Sequence, residues 1–317
     1  MKHLSFSLAL VSCILLAGCK DKPAPSAGGA KKPRVALVMK SLANEFFKTM
    51  EDGARAHQKS HAADYELIAN GIRDEQDIAR QNNLVEQMIA QKVDAIVIAP
   101  ADSKALVPAC KKAMDAGIVV VNIDNKLDVA ALADKGIKVP FVGPDNRKGA
   151  RIGGEFLAKK LQAGDEVAIV EGLQGAFNAE QRKLGFEDAC KAAGLKIATS
   201  QSARWETAEA DKLVGAMVPN YPNIKALLCA NDSMALGAAA ALKAAGKTGK
   251  IDVVGFDNIA AAQQLIKEGK MLCTVDQHGD QIAVYGIEYA LEILKTKSAP
   301  QDKETPVDLI TADTLKK

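Results

Sequence analysis

The residues with most chemistry to offer stand where short apolar runs end. Lys40 closes V-A-L-V-M, and Asn44, Phe46 and Phe47 follow just beyond it. Asp124 and Asn125 close I-V-V-V-N-I, Asn231 and Asp232 follow L-L-C-A, Asp257 and Asn258 follow V-V-G-F, and Gln277 follows C-T-V-D. Trp205, the lone tryptophan, lies in a loop ahead of a predicted helix. Carboxylates, amides and an ammonium around aromatic rings suit a polyhydroxylated ring. The polar groups take its hydroxyls, at about 1.5–3 kcal/mol for each charge-assisted bond, and aromatic faces cover its C–H faces. Any one of these Asp or Asn residues is equally readable as a helix cap. Recurrence at the same end of successive strands gives the set its weight.

Signals for catalysis are poor. Of the four histidines, His3 lies near the N-terminus and His57 and His61 share one helical face without the glutamate of H-E-x-x-H. No G-x-S-x-G occurs, no G-x-G-x-x-G follows Met39, and Gly172 to Gly175 lacks a phosphate-loop pattern. The expectation is a protein without catalytic residues, metal or cofactor.

The elements that must position these residues alternate. Residues 35–39 read as a buried parallel strand, and Asn44 stands at the N-cap of a helix with Phe47, Met50 and Ala54 at helical spacing. Strands at 65–69, 94–99, 118–123 and 139–142 alternate with helices at 75–91 and, capped by Ser103, at 103–116. A second series runs from a helix at 146–161 through strands at 166–170, 195–199, 226–229, 251–255 and 271–275. Helices at 179–193, 207–218, 232–245, 259–267 and 281–294 fall between and after them. Such alternation means βαβ units with right-handed crossovers. Asn231 precedes its helix as Asn44 precedes its own, so the chain is expected to hold two doubly wound, Rossmann-like parallel-sheet domains. Facing one another, they place both sets of strand-end loops on one cleft.

A chain of 317 residues has room for two such domains, and a formal net charge of +2 leaves no nucleic-acid footprint. Residues 1–19 read as an export signal: a basic start, an apolar stretch over 4–16, and Leu16-Ala17-Gly18-Cys19 matching the bacterial lipobox. Cys19 is therefore the expected lipidation site, and residues 20–33 a flexible tether with a reach of roughly 20 Å. Cys110, Cys190, Cys229 and Cys273 match no metal or disulfide framework and are expected to be buried thiols.

S-L-A-N-E-F-F (41–47), D-A-I-V-I-A-P (94–100), A-N-D-S-M-A-L-G (230–237) and V-V-G-F-D (253–257) closely resemble the ribose-type periplasmic sugar-binding proteins, relatives of the lac-repressor-like sensory domain. The resemblance runs in order from Arg34 to Leu315. It implies the type I periplasmic binding protein fold, with three crossovers near Pro144, His278 and Asp308. The lobes would then be 34–144 plus 278–308 and 145–277 plus 309–317. It further implies a monosaccharide or related polyol clamped between the lobes and delivered to an ABC transporter permease, by a monomer in the periplasm or cell envelope. The alternative is a receptor subunit for chemotaxis or a sensor kinase. The export signal argues against a transcriptional regulator.

Carried over by position, the ligand contacts are Asn44, Phe46, Phe47, Asp124, Trp205, Asn231, Asp257 and Gln277. Trp205 stands where the ribose binders have phenylalanine, Lys40 where they have a small hydroxyl residue, and Asn125 where they have arginine. Glu180 falls where a second arginine is expected, although a slip brings Gln181 or Arg182 there. Two readings stand side by side. Lys40, Asn125 and Glu180 meet a ligand other than ribose, such as another sugar, a polyol or an amino sugar; or Lys40 and Glu180 pair with one another across the closed cleft.

Overall fold

The computed structural model describes Met1, residues 31–298 and residues 301–316. Cys19 and nearly all of the expected signal and tether lie outside the described residues. The first series comprises β1 (Arg34–Ser41), α1 (Glu45–Ser60), β2 (Glu66–Ile72), α2 (Ile78–Ala90), β3 (Ala95–Ile98), α3 (Val107–Asp115), β4 (Val119–Ile123), α4 (Val129–Asp134) and β5 (Phe141–Pro144). The second comprises α5 (Asn146–Ala158), β6 (Glu166–Glu171), α6 (Phe177–Ala192), β7 (Lys196–Ser202), α7 (Thr207–Asn220), β8 (Ile224–Cys229), α8 (Asp232–Ala244), β9 (Asp252–Val254), α9 (Ala260–Lys267) and β10 (Cys273–Asp276). Then follow α10 (Gly279–Thr296), β11 (Lys303–Thr305) and β12 (Asp308–Thr311).

Two lobes result, each built on a six-stranded sheet. One has the order β11-β5-β4-β3-β1-β2 and is parallel throughout. The other has the order β12-β10-β9-β8-β6-β7 and is parallel except for the antiparallel β10–β12 pair. In each, strand order reverses beside the first strand of its series, at β1 and at β6. That reversal opens a crevice at the strands' carboxyl ends, where doubly wound sheets hold their ligands. The chain passes from one sheet to the other after β5, returns after β10 when α10 packs on β1, β3, β4 and β5, and crosses again between β11 and β12.

The strands bury apolar residues on both faces, as parallel sheets under helices must. Residues 35–39 and 95–98 are at most 1% exposed. Helices pack closely where glycine removes a side chain. A Cβ on Gly185 of α6 would stand 2.2 Å from the Arg147 carbonyl oxygen of α5. Gly185→Ala is expected to force these helices apart and lower the unfolding free energy by about 2–3 kcal/mol, read from urea unfolding.

Two boundaries correct the sequence reading. Ser103 does not cap α3, whose N-cap is Leu106 with Pro108 in its first turn; Ser103 turns toward the other lobe instead. And α2 starts at Ile78, capped by the Asp77 carboxylate on the Arg80 amide, which leaves Glu75 in the preceding loop. The short α4, β11 and β12 carry too weak a pattern to be read from the chain. The four cysteines at 110, 190, 229 and 273 are buried free thiols.

Candidate functional site

Lys40 is the penultimate residue of β1, and the turn after the strand leads into α1 through Asn44, whose side-chain oxygen accepts from the Phe46 amide. Phe46 and Phe47 meet edge to face at 5.1 Å on the first turn of the helix. β4 delivers Asp124, with φ 60°. From the other lobe, Asn231 caps α8 by accepting from the Met234 amide, Asp257 follows β9, and Gln277 follows β10. Trp205 lies between β7 and α7, its ring against Gly172, where a Cβ would come within 2.2 Å of the ring. These nine residues, all expected from the sequence, line one cavity. Glu75, Asn178 and Arg182 complete it.

Two expected residues do not reach that cavity. Glu180 is exposed on α6, beside Glu171 and Lys183 around a separate depression. Lys40 accordingly pairs not with Glu180 but with Asp124 at 3.2 Å and Glu75 at 3.8 Å. Asn125 is fully buried, but its side chain ties the lobes together, donating to the Pro100 carbonyl at 2.9 Å and accepting from the Asn178 amide at 3.1 Å. Arg182 takes the place at which the sequence set Glu180. α6 starts at Phe177, and its inward face carries Asn178, Arg182, Gly185, Phe186 and Ala189 at helical spacing.

Arg182 is the centre of the second lobe's half of the site. Its Nε donates to Asn146 Oδ1 at 2.8 Å and its Nη1 to the Ala230 carbonyl at 2.9 Å and Asp257 Oδ1 at 3.4 Å. The guanidinium also lies 3.8 Å over the Phe256 ring. Gln277 Nε2 donates to the same Asp257 oxygen at 2.7 Å. Burial lowers the Arg182 pKa even with Asp257 alongside, and burial lifts the Asp257 carboxyl well above the ordinary range although Arg182 opposes this. In the first lobe burial pulls Lys40 down, but the charges of Asp124 and Glu75 outweigh it and leave it raised. Glu75 is pushed up to about 7, chiefly by burial, with Lys40 opposing and Asp124 adding to the rise.

Backbone strain gathers here too. Asp124, Arg204, Trp205, Asp257, Asn258 and His278 all have φ between 55° and 122°, leaving only Lys92 and Lys297 elsewhere among the described non-glycine residues. Side chains rarely accept that region unless their surroundings force it.

Asp232 lies behind the cavity, fully buried, accepting from Thr274 Oγ1 at 2.8 Å and the Ile259 amide at 3.0 Å. Burial lifts its carboxyl to about 7 against these hydrogen bonds. A carboxyl whose pKa is raised in the fold stabilises fully below its unfolded value, near 3.9, and loses that contribution as pH rises through the folded value. The stability advantage of wild type over Asp232→Asn is therefore expected to shrink by about 2–3 kcal/mol between about pH 5 and about pH 8, measured by urea unfolding.

The lobes meet around the cavity. The Ser103 amide donates to the Gly175 carbonyl at 3.1 Å, and Ser103 Oγ accepts from the Phe177 amide at 3.0 Å. Elsewhere, Ser233 Oγ bonds Asn44 Oδ1 at 3.3 Å and Glu45 accepts from the Ala260 amide at 2.9 Å. Six of the seven buried polar side-chain atoms without a partner among the described residues belong to cavity residues: Glu75 Oε2, Asp124 Oδ2, Asn178 Oδ1, Gln277 Oε1, Arg182 Nη2 and Trp205 Nε1. Asp124 Oδ2 touches the Lys40 ammonium, but outside hydrogen-bond geometry.

Two α/β lobes sealed over a polar chamber define a bilobal binding protein. The chain belongs to the periplasmic binding protein family, whose domain matches residues 35–298; it is a family of binding proteins, not enzymes. It is 55% identical over 313 residues to the D-ribose/D-allose-binding protein of Pseudomonas aeruginosa, covering 96% of this chain and 98% of that one. Among solved structures, an ABC transporter solute-binding protein from Burkholderia multivorans holding an unknown ligand superposes with TM-score 0.87, at 57% identity, over 89% of this chain and 100% of that one. The periplasmic solute-binding protein of Actinobacillus succinogenes with bound D-allose gives 0.84, at 37% identity, over 90% and 99%.

Proposed function

We propose that this protein captures D-ribose or D-allose in the periplasm and presents it to an ABC importer. The observation that carries the reading is the set of unpartnered polar atoms in the cavity. Unpaired buried polar groups each cost about 1–3 kcal/mol, so a chamber lined with them favours a guest that pairs them. Four acceptors against two donors call for a neutral molecule rich in hydroxyl groups, whose O–H bonds satisfy the carboxylates and amides and whose oxygens take Arg182 and Trp205. The relatives' ligands and importer association support the same reading.

The contacts would be Lys40, Asn44, Phe46, Phe47, Asp124, Trp205, Asn231, Asp257 and Gln277, joined by Glu75, Asn178 and Arg182. Opening and closing would hinge where the chain passes between lobes 34–144 plus 278–308 and 145–277 plus 309–317. L-A-G-C at 16–19 supports a lipid anchor on Cys19; its test is release of the protein from membranes by Cys19→Ser. Ligand identity is tested by calorimetric titration with D-ribose, D-allose, myo-inositol and D-fucose. One-to-one binding of ribose or allose, with no heat from the others, is the expected result. Selective binding of inositol or fucose would overturn it.

A further inference from the structure

We propose that Glu75 enters the closed site as a neutral carboxyl group, so that capture of the sugar takes up one proton from solvent. This rests on the sugar-binding reading and adds to it a residue that acts as hydrogen-bond donor as well as acceptor. The charges in the chamber are two cations, Lys40 and Arg182, against three carboxylates, Glu75, Asp124 and Asp257. Arg182 belongs to Asp257 through its Nη1 contact, and Lys40 belongs to Asp124 at 3.2 Å. Glu75 is the carboxylate left over. It is 2% exposed, 3.8 Å from an ammonium that stands closer to Asp124, and its Oε1 has only a 3.4 Å contact from Asn44 Nδ2. Its Oε2 is buried without a partner. A neutral sugar brings no charge to balance it, and a buried carboxylate that must share one ammonium with a closer carboxylate relieves its excess charge by taking a proton.

Closure is what creates this situation. Lys40, Asp124 and Asp74 share a lobe with Glu75, and parting of the two lobes would admit water to the buried three. The second lobe then brings Glu206, at the N-cap of α7, to face the Glu75 backbone amide, with Glu209 one turn on. These are further negative charges, and Glu206 is itself raised, first by burial and then by Asp74. Among the described residues, the second-lobe cation that acts on Lys40 is Arg182, already paired with Asp257. The proton goes to the Glu75 carboxylate and converts one acceptor oxygen into an O–H donor directed at a sugar oxygen.

The test is calorimetric titration of the full chain with D-allose and D-ribose in buffers of different ionisation enthalpy, for wild type and Glu75→Gln. Glutamine keeps the shape of the neutral acid and cannot titrate. Wild type is expected to take up nearly one proton near pH 6, with affinity falling by up to about tenfold per pH unit toward about pH 7 and levelling off above it. Glu75→Gln is expected to bind at least as tightly as wild type near pH 8, with uptake lower than wild type by nearly one proton and a correspondingly flatter slope. Wild-type binding without proton uptake, equal uptake in Glu75→Gln, or loss of binding in a normally folded Glu75→Gln would overturn the inference while leaving the sugar reading intact. Absence of heat from both sugars with wild type would overturn the reading and this inference with it.

Discussion

Arg182→Met is expected to abolish measurable sugar binding and to lower the unfolding free energy by about 3–5 kcal/mol, because it strips the partner from a buried charge. The guanidinium does several jobs at once. It neutralises Asp257, satisfies the Ala230 carbonyl and the Asn146 side chain, and offers Nη2 to the cavity. Methionine fills part of the volume over Phe256 but supplies no donor. Without Arg182 the Asp257 carboxyl, already raised by burial, loses its main opposing influence and rises further. Its cost therefore grows as pH rises through the folded value, and the deficit of Arg182→Met is expected to be larger at about pH 8 than at about pH 5. Combining Arg182→Met with Asp257→Asn removes the orphaned charge, so the double variant should recover part of the stability and none of the binding. Urea unfolding at two pH values and calorimetry read the two effects apart. Full stability of Arg182→Met at high pH would show that Asp257 needs no partner.

Arg182 stood in the sequence reading only as an alternative to Glu180. Glu180 was set there by position in the resemblance, and residues two apart on a helix point about 200° apart, so a slip of two exchanges an outward for an inward position. Apolar periodicity could not correct the slip, because the buried face of α6 carries Asn178 and Arg182 where a core stripe would carry aliphatics. Glu75 was hidden by the reverse error. Acidic residues are favoured in a helix's first turn, so D-E-Q-D at 74–77 reads as a helix already begun, whereas Asp77 is the cap and Glu75 precedes it. Lys40, Asp124 and Asp257 were legible because a charge after an apolar strand in a doubly wound sheet has one place to go, the crevice. Asn44 and Asn231 were readable as caps or as site residues, and they are caps that also line the cavity. The lobes were legible from repetition. β11 and β12 were not, since K-E-T and D-L-I-T gain strand geometry from edges that the rest of the chain provides.

Trp205→Ala is expected to weaken sugar binding by a hundred- to a thousandfold, about 3–4 kcal/mol, while the protein stays folded. The indole is 4% exposed and lies with its ring 5.6 Å from both Lys40 Nζ and the Arg182 guanidinium. It thus spans the two lobes' cations and offers its Nε1–H, unpartnered, to the guest. Removal opens the wall of the chamber to water, and every charged hydrogen bond inside weakens as the dielectric rises. Trp205→Phe keeps an aromatic face and loses only the N–H, so a smaller loss is expected, about tenfold, for one hydrogen bond. The order wild type, Phe, Ala separates the stacking contribution from the donor. Because this is the only tryptophan in the chain, wild-type indole fluorescence, excited on the red side of tyrosine absorption, reads the site without a label. Adding D-allose or D-ribose is expected to shift its emission, with a midpoint equal to the calorimetric one. An unchanged emission spectrum at saturating sugar, together with full affinity in Trp205→Ala, would place the ligand somewhere other than this cleft.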